Sequence, residues 1–223
     1  MGISPVQVEL QSAGGQSRGT LTVSNASAAP LPVDVTIKRM TQDENGIRKY
    51  HDDAQNDFLI LPPQAMIPPG GSQVFRVQWV GEPQLPQSKT FMLFANQVAV
   101  KLPSNVSGVN MVSSMGAMIN VAPPKASADL RVVSTGVETD KKTGKRHPTV
   151  TVENPTNVHA LLPKATLRLQ SGSWEEKYPP EALTSTIGIG LVPPGQRRKF
   201  VLPTTVPQGV SSIQASVEYQ AKR

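Results

Sequence analysis

The sequence predicts an all-β protein that is built from two β-sandwiches, and three observations support this class. Apolar and polar residues alternate with a period of two, as in Val33, Val35 and Ile37, and such runs indicate half-buried strands. The 21 prolines and 17 glycines interrupt these runs at short intervals, which predicts many turns, and no amphipathic helix is predicted. The third observation is an internal repeat that divides the chain into two similar halves.

The repeat consists of two elements that occur in the same order in both halves. The first element is a strand pattern that ends in Asn, LTVSN at 21–25 and VTVEN at 150–154. The second element follows roughly forty residues later and is a turn with a strand behind it, IPPG at 67–70 and VPPG at 192–195. We therefore predict one domain at 1–121 and a second at 126–223, each of a size typical of a β-sandwich. The joint at 122–125 (APPK) is predicted to be stiff because proline restricts the backbone.

Composition narrows the possible functions. The chain of 223 residues is long enough to bury two cores, and it contains no apolar run of the ~18 residues that a membrane span needs. The absence of cysteine excludes disulfides, thiolate metal sites and cysteine nucleophiles. The net charge of +6 comes from the second half, where basic residues cluster at Lys141–Arg146 and Arg197–Lys199. Neither cluster is interleaved with aromatic residues, so nucleic-acid binding is not predicted, and the first cluster is interpreted as a hairpin tip.

The N-terminus shows no signal peptide, because Met1 and Gly2 are followed directly by an alternating strand pattern. We interpret this arrangement as a start codon joined to a mature domain, from which any signal peptide has been removed or left out.

Motifs of enzymes are missing from the sequence. It contains no G-x-S-x-G elbow, no P-loop and no H-E-x-x-H. His51, His147 and His159 stand alone, and we expect His147, before a proline, and His159, in a polar loop, to be solvated. The acidic residues at 52, 53 and 57 lack the spacing of a calcium loop. We therefore predict a binding protein without catalytic residues, metal or cofactor.

Four segments together resemble the periplasmic chaperones of the chaperone–usher pilus pathway. They are LTVSN at 21–25, IPPGGSQVFRV at 67–77, FMLFANQVAV at 91–100 and VENPT at 152–156. The resemblance lies in their order and spacing across almost the whole chain. It implies two immunoglobulin-like domains in a boomerang arrangement, and a periplasmic location.

The resemblance also implies a function. A pilus subunit is an incomplete sandwich that lacks its last strand, and the chaperone lends it strand G of the first domain. This donor-strand complementation folds and caps the subunit, which is then delivered to an outer-membrane usher without nucleotide consumption. The physical basis is β-augmentation, in which main-chain hydrogen bonds give affinity and alternate side chains fill pockets.

The candidate donor strand runs from residue 109 to residue 121, immediately before the prolines of the joint. The resemblance aligns Asn120 with a basic residue of the family, and alternation then gives the donor row as Val109, Met111, Ser113, Met115 and Ala117. Methionine suits variable pockets because it is unbranched and polarizable. The short segment before the strand, residues 101–108, resembles the branch that assembles rod-like pili.

The sequence departs from the family at the carboxylate anchor. Well-known members carry an Arg in the first strand and a Lys late in strand G, which hold the subunit's terminal carboxylate, whereas Glu9 and Asn120 occupy these positions here. Because Glu repels a carboxylate, we expect a divergent branch, archaic or alternative, in which the anchor lies elsewhere. Arg76 and Lys89 are the nearest basic candidates in the first domain, and a structural ion pair is the competing role for Arg76.

Two other functions stay open on the sequence alone. An extracellular two-domain immunoglobulin-like adhesion or binding module would have the same fold but no donor strand. A carbohydrate-binding module usually shows exposed aromatic platforms, whereas this chain has 10 aromatic residues, of which Trp79 and Trp174 are expected in a core or at an edge. For the chaperone, the expected partners are pilus subunits and an usher, and a free donor edge also permits self-association.

Overall fold

The computed structural model describes residues 1–99, 112–210 and 212–220. The described chain consists of strands joined by turns, with one short α-helix, and it divides into two compact units. The first unit comprises Met1–Thr41 and Lys49–Pro124, and the second comprises Gln42–Arg48 and Lys125–Arg223. The predicted domain limits placed the segment Gln42–Arg48 in the first domain, whereas it groups with the second unit. The all-β prediction is confirmed.

The residues that the structure describes in the first half of the chain form ten strands, which we number in chain order. They are β1 (Gly2–Ser4), β2 (Gln7–Gln11), β3 (Arg18–Ser24), β4 (Leu31–Gln42), β5 (Arg48–His51), β6 (Phe58–Leu61), β7 (Gln64–Ile67), β8 (Ser72–Trp79), β9 (Lys89–Gln97) and β10 (Ser114–Ala122). Short 3-10 turns precede β3 at Gly15–Ser17 and β6 at Gln55–Asp57.

The second half forms eight strands and one helix among the described residues. They are β11 (Arg131–Thr139), β12 (Arg146–Glu153), β13 (Ala160–Leu161), β14 (Ala165–Ser171), β15 (Trp174–Tyr178), α1 (Pro180–Ile187), β16 (Leu191–Val192), β17 (Arg197–Val201) and β18 (Gln214–Tyr219). A 3-10 turn at Leu162–Lys164 links β13 to β14.

The first unit is a sandwich of two sheets. One sheet has the order β1-β3-β8-β6, and the other has the order β2-β10-β9-β4-β5 with β7 paired to β4. Alternate residues of both sheets face inward and form one buried core, in which the rings of Phe58, Trp79 and Phe91 contact each other at centroid distances of 4.8–5.7 Å. Trp79 is therefore a core residue, which is one of the two locations expected for it.

The second unit also encloses a core of its own between short sheets. Their orders are β11-β12-β17, β13-β16 and β15-β14-β18, and the inward residues of β12 and β14 are fully buried. The helix α1 was not predicted from the sequence. Its eight residues begin with Pro180, end before Gly188 at φ 64° and bury only Leu183, so the segment is too short to show a helical period. This helix is far shorter than a membrane span, and no helix of the described chain has the length and apolarity that a span requires.

The sequence repeat corresponds to the same set of buried hydrogen bonds in each unit, made by Asn25 in the first and Asn154 in the second, and we call each set a lock. The side-chain amide of Asn25 donates to the carbonyl oxygens of Ile67 and Pro68 at 3.1 Å and of Ala29 at 2.8 Å, and its oxygen accepts from Ser27. Each Asn thereby ties the loop that follows its strand to the Pro-Pro-Gly turn.

The second lock is built in the same way. Asn154 donates to the carbonyl oxygens of Val158 at 2.7 Å and Val192 at 3.0 Å, and it accepts from Thr156. The turns that the two locks hold contain Gly70 and Gly195 at φ 68° and 65°, a conformation that favours glycine.

Some local expectations are confirmed and others are corrected. The basic cluster Lys141–Arg146 does form the tip of the β11–β12 hairpin, where the backbone N–H groups of Thr143 and Lys142 lower the pKa of Asp140. The expectation of solvated histidines is wrong for His159, which is only 5% exposed, because the loop after Asn154 folds inward. His147 is half-buried within β12 and contacts the Thr204 carbonyl oxygen.

We predict that Asn25→Ala and Asn154→Ala each destabilise their own unit by about 2–4 kcal/mol, because each change leaves several buried carbonyl oxygens without a donor. Hydrogen-exchange mass spectrometry in urea would follow the two units separately. Asn56→Ala, at an exposed position, is the matched control. If Asn25→Ala and Asn154→Ala lower the free energy of unfolding no more than Asn56→Ala does, this account of the repeat is contradicted.

Candidate functional site

Strand β10 is the candidate site, and its two neighbours pair with it over different lengths. On one side, β9 pairs antiparallel with β10 from Ser114 to Val121. On the other side, β2 pairs parallel with β10 only from Met118 to Ala122. In the part of the chain that the structure describes, no strand pairs with Ser114–Ala117 on the β2 side. Within the described residues, the first half of β10 is therefore an open edge.

The direction of the backbone groups on this edge follows from the ladder. The amide of Gln97 on β9 donates to the Ser113 carbonyl oxygen at 2.8 Å, so Ser113 directs its carbonyl toward β9. The direction alternates along an antiparallel strand, and Ser114 and Gly116 therefore direct both N–H and C=O to the open side. Met118 directs its backbone groups to the same side, where its amide donates to the Val6 carbonyl oxygen at 2.9 Å.

Burial changes steeply along the face of β10 that carries the predicted donor row. Ile119 and Val121 are fully buried in the core of the first unit, Met115 is half-buried and Ser113 is exposed. Ala117 is also fully buried in that core, so its side chain has no surface to offer to a partner, which removes it from the predicted row.

The remaining members of the donor row, Val109 and Met111, lie outside the described residues. The row that the structure places at the edge is therefore Ser113 and Met115. Its exposure increases toward the chain segment that contains the other two predicted members.

The opposite face of β10 is polar at its open end. The Ser114 hydroxyl donates to Asn96 Oδ1 at 2.7 Å, and Asn96 Nδ2 donates to the Thr36 hydroxyl at 3.1 Å, so a hydrogen-bonded row crosses three strands. The next position, Gly116, has no side chain and is exposed, and it is paired with Phe94.

The two residues that the resemblance aligned with a carboxylate anchor lie together at the other end of β10. Glu9 and Asn120 are register partners on β2 and β10, and Asn120 Nδ2 donates to Glu9 Oε1 at 2.9 Å. The Thr90 hydroxyl donates to Asn120 Oδ1 at 2.8 Å, and Gln7 donates to Glu9 Oε1 at 2.5 Å. Asn120 is fully buried, so this row is a hydrogen-bonded polar network that contains a carboxylate.

The two basic anchor candidates lie away from this network. Arg76 lies on β8 in the other sheet, and its exposed side chain leaves the outer face of that sheet beside Thr20 and Leu61. Lys89 begins β9 and is the register partner of Val121, one position from Asn120. By strand alternation Lys89 leaves the sheet on the side opposite to the network.

Two participants in this site were not predicted. Thr90 carries no signal of its own in a single sequence, because a threonine in a strand is common. Gly116 does carry one, since a glycine inside a strand pattern marks a bulge or a close approach of another backbone.

The described residues also bear on metal chemistry. In 1–99, 112–210 and 212–220, no three side chains of His, Asp or Glu converge in a group that would hold a metal ion.

Comparison with known proteins identifies the family. Residues 1–121 match the model of the pili and flagellar-assembly chaperone family, PapD N-terminal domain. No curated protein is similar enough in sequence to match the chain.

Solved structures share the fold at low sequence identity. The chain resembles the class 5 fimbriae chaperone CfaA (14% identity, TM-score 0.55, covering 97% of this chain and 98% of that one). It resembles the CupB2 chaperone of Pseudomonas aeruginosa (16% identity, TM-score 0.52, covering 99% of this chain and 97% of that one). It also resembles a chain in the complex of the Salmonella enterica SafA pilin with the SafB chaperone (16% identity, TM-score 0.53, covering 98% of this chain and 95% of that one).

These structural likenesses extend over both units, whereas the family model matches the first 121 residues, more than half of the chain. The chain therefore belongs to the pili and flagellar-assembly chaperone family.

Proposed function

We propose that this chaperone captures a pilus subunit by pairing the open edge of β10 with a strand of the subunit. The single observation that carries the proposal is that Ser114 and Gly116 direct their backbone groups to a side where the described chain provides no strand. An unpaired edge is a template for strand addition. The family is one of chaperones for pilus assembly, for which such an edge has a use.

The burial gradient along β10 supports donor-strand complementation in particular. Ile119 and Val121 complete the chaperone's own core, whereas Met115 and Ser113, on the same face, extend beyond it. A subunit sheet that continues from β10 therefore receives these side chains in its own core. Val109 and Met111 continue the proposed row in sequence. Burial of a Met side chain is worth about 1.5–3 kcal/mol relative to exposure.

The structural relatives include complexes of the proposed kind. One is a SafA pilin with the SafB chaperone, and another is a chaperone–tip adhesin complex from CFA/I fimbriae biogenesis. By analogy, the partner of this chain is a pilus subunit or a tip adhesin. Delivery to an outer-membrane usher and action in the periplasm are parts of the same proposal, as is a role without catalytic turnover.

The anchor for a subunit's terminal carboxylate is proposed to be Lys89. Asn120 has its amide engaged with Glu9, and an adjacent carboxylate would repel the ligand. Of the two basic candidates, only Lys89 lies on a strand that adjoins β10, while Arg76 lies in the other sheet. A carboxylate that leaves water needs a charge-assisted donor, which Lys89 provides.

We predict that Met115→Asp reduces subunit capture at least tenfold, because a charge would enter an apolar pocket. The measurement is co-purification of the chain with a co-expressed pilus subunit, together with the melting temperature of the free chain. Ser114→Asp is the matched control, since it adds the same charge one residue away on the polar face.

Equal loss in both Asp variants would show a nonspecific effect of charge. Capture at wild-type strength by Met115→Asp would contradict the donor row.

We predict that Lys89→Ala lowers capture about tenfold or more, because a charge-assisted hydrogen bond contributes about 1.5–3 kcal/mol. Lys89→Arg should retain most of the capture, and Arg76→Ala should leave it unchanged. The same co-purification assay compares the three variants. Loss of capture in Arg76→Ala with normal capture in Lys89→Ala would reverse the assignment.

A further inference from the structure

Gln97 is a polar residue at a position where the pattern of β9 favours an apolar one. Alternate side chains of β9 point into the core of the first unit, and the earlier members of that row, Phe91, Leu93 and Ala95, are fully buried. Gln97 continues the row, and its register partner on β4 is the buried Val33. The half-buried amide of Gln97 thus interrupts the apolar row where the described β9–β10 ladder ends.

The Gln97 side chain makes a hydrogen bond that a backbone carbonyl makes in a regular ladder. Ser113 lies opposite Gln97, one step beyond the register pair of Ser114 and Asn96. The Gln97 amide donates to the Ser113 carbonyl oxygen at 2.8 Å, and the Ser113 amide donates to Gln97 Oε1 at 3.3 Å. A hydrogen-bonded antiparallel pair normally exchanges two bonds between backbone groups. At Ser113, a side-chain oxygen provides one of the two acceptors.

Asn96 holds the next residue of β10 on the opposite face of the sheet. The Ser114 hydroxyl donates to Asn96 Oδ1 at 2.7 Å, and Asn96 Nδ2 donates to the Thr36 hydroxyl at 3.1 Å. Two consecutive residues of β9 therefore bind two consecutive residues of β10, one on each face. We call the four residues Asn96, Gln97, Ser113 and Ser114 the entry clamp.

The entry clamp lies where β10 lacks a second neighbour. Strand β2 pairs with β10 from Met118 to Ala122, and no strand of the described chain pairs with Ser114 on that side. The end of a strand with one neighbour opens easily, because few hydrogen bonds hold it. Strand β9, which carries the clamp, is itself paired with β4 on its other side from Phe91 to Gln97. The clamp therefore fixes the end of β10 to a strand in the interior of the sheet.

We propose that Gln97, together with Asn96, is a positioning residue for subunit capture, which keeps the open end of β10 extended and in register before a subunit binds. The proposal rests on the proposed function, because it concerns the order of the edge with which a subunit strand would pair. A strand that is already extended loses less conformational entropy on binding. If the edge is binding-competent in only a fraction of the free molecules, the apparent affinity falls by that fraction.

Loss of the clamp is expected to slow association with a subunit and to leave dissociation unchanged. In the proposed complex, the subunit strand pairs with Ser114 and holds the end of β10, so the clamp stabilises mainly the free chain. A side chain that contacts the subunit directly behaves differently, since loss of an interface contact mostly raises the dissociation rate. The two rate constants therefore distinguish positioning from contact.

The first test is amide hydrogen exchange in the free chain, followed by NMR. Gln97→Met keeps the length of the side chain and removes the acceptor, whereas Gln97→Glu keeps an oxygen at the same place. We expect exchange at Ser113 to be about threefold faster or more in Gln97→Met and unchanged in Gln97→Glu, since one neutral hydrogen bond is lost in the first variant alone. The amides of Met115 and Ala117, which face the β9 backbone, should exchange as in the wild type. Equal exchange at Ser113 in all three proteins would overturn the clamp.

The second test measures capture of a purified pilus subunit that is diluted from urea into each variant. Association with Gln97→Met should be about three- to tenfold slower, the range for one neutral hydrogen bond. Dissociation, measured by transfer of the subunit to an excess of tagged wild-type chain, should stay unchanged, as should the melting temperature of the free variant. Gln97→Glu should associate at close to the wild-type rate. The matched control is Gln73→Met, since Gln73 is a half-buried glutamine on β8 that donates to the carbonyl of its own neighbour, Val74.

The outcomes separate this inference from the function on which it rests. Normal association by Gln97→Met together with loss of capture in Met115→Asp would overturn the positioning role and keep the donor edge. Normal capture by both variants would overturn the use of the β10 edge itself. Faster dissociation from Gln97→Met would also overturn the inference, because Gln97 would then be a contact of the subunit. A free Gln97→Met that melts well below the wild type would count against it as well, because Gln97 would then serve the stability of the whole unit.

Discussion

The structure of the first unit depends on the incomplete pairing of β10. Backbone N–H and C=O groups in a sheet need partners, and among the described residues β10 has them on both sides where β2 runs alongside, from Met118 to Ala122. In its first half, β9 is the one strand of the described chain that pairs with β10. The two ends of this strand therefore have different roles: the C-terminal end completes the core, and the N-terminal end presents an edge that no described strand pairs with.

The distribution of side chains follows the same division. Where β2 covers the strand, Ile119 and Val121 fill the core, and the buried polar row of Glu9, Asn120 and Thr90 joins three strands. Beyond it, burial falls through Met115 to Ser113. In the proposed donor-strand role, this combination keeps β10 ordered without a partner while part of its face stays unfilled.

Much of the fold could be predicted from the sequence because the repeat has a physical cause. Asn25 and Asn154 make the same buried hydrogen bonds to the Pro-Pro-Gly turns. The equal spacing of these residues in the two halves therefore indicates the same local structure in both units. The helix α1 could not be predicted, since a single buried leucine gives no period. At the site, the resemblance singled out Glu9 and Asn120, which the structure shows to be register partners, but burial of Ala117 depends on how far β2 extends, which alternation alone does not reveal.

The most direct test of the central claim is amide hydrogen exchange of β10, followed residue by residue by NMR in the free chain and in complex with its pilus subunit. In the free chain, the amides of Ser114 and Gly116 should exchange rapidly, whereas those of Met115 and Ala117, which face β9, should be protected. In the complex, Ser114 and Gly116 should become protected by at least tenfold. Protection of Ser114 and Gly116 that is unchanged by a bound subunit would contradict the account, because the open edge of β10 would then not be where the subunit pairs.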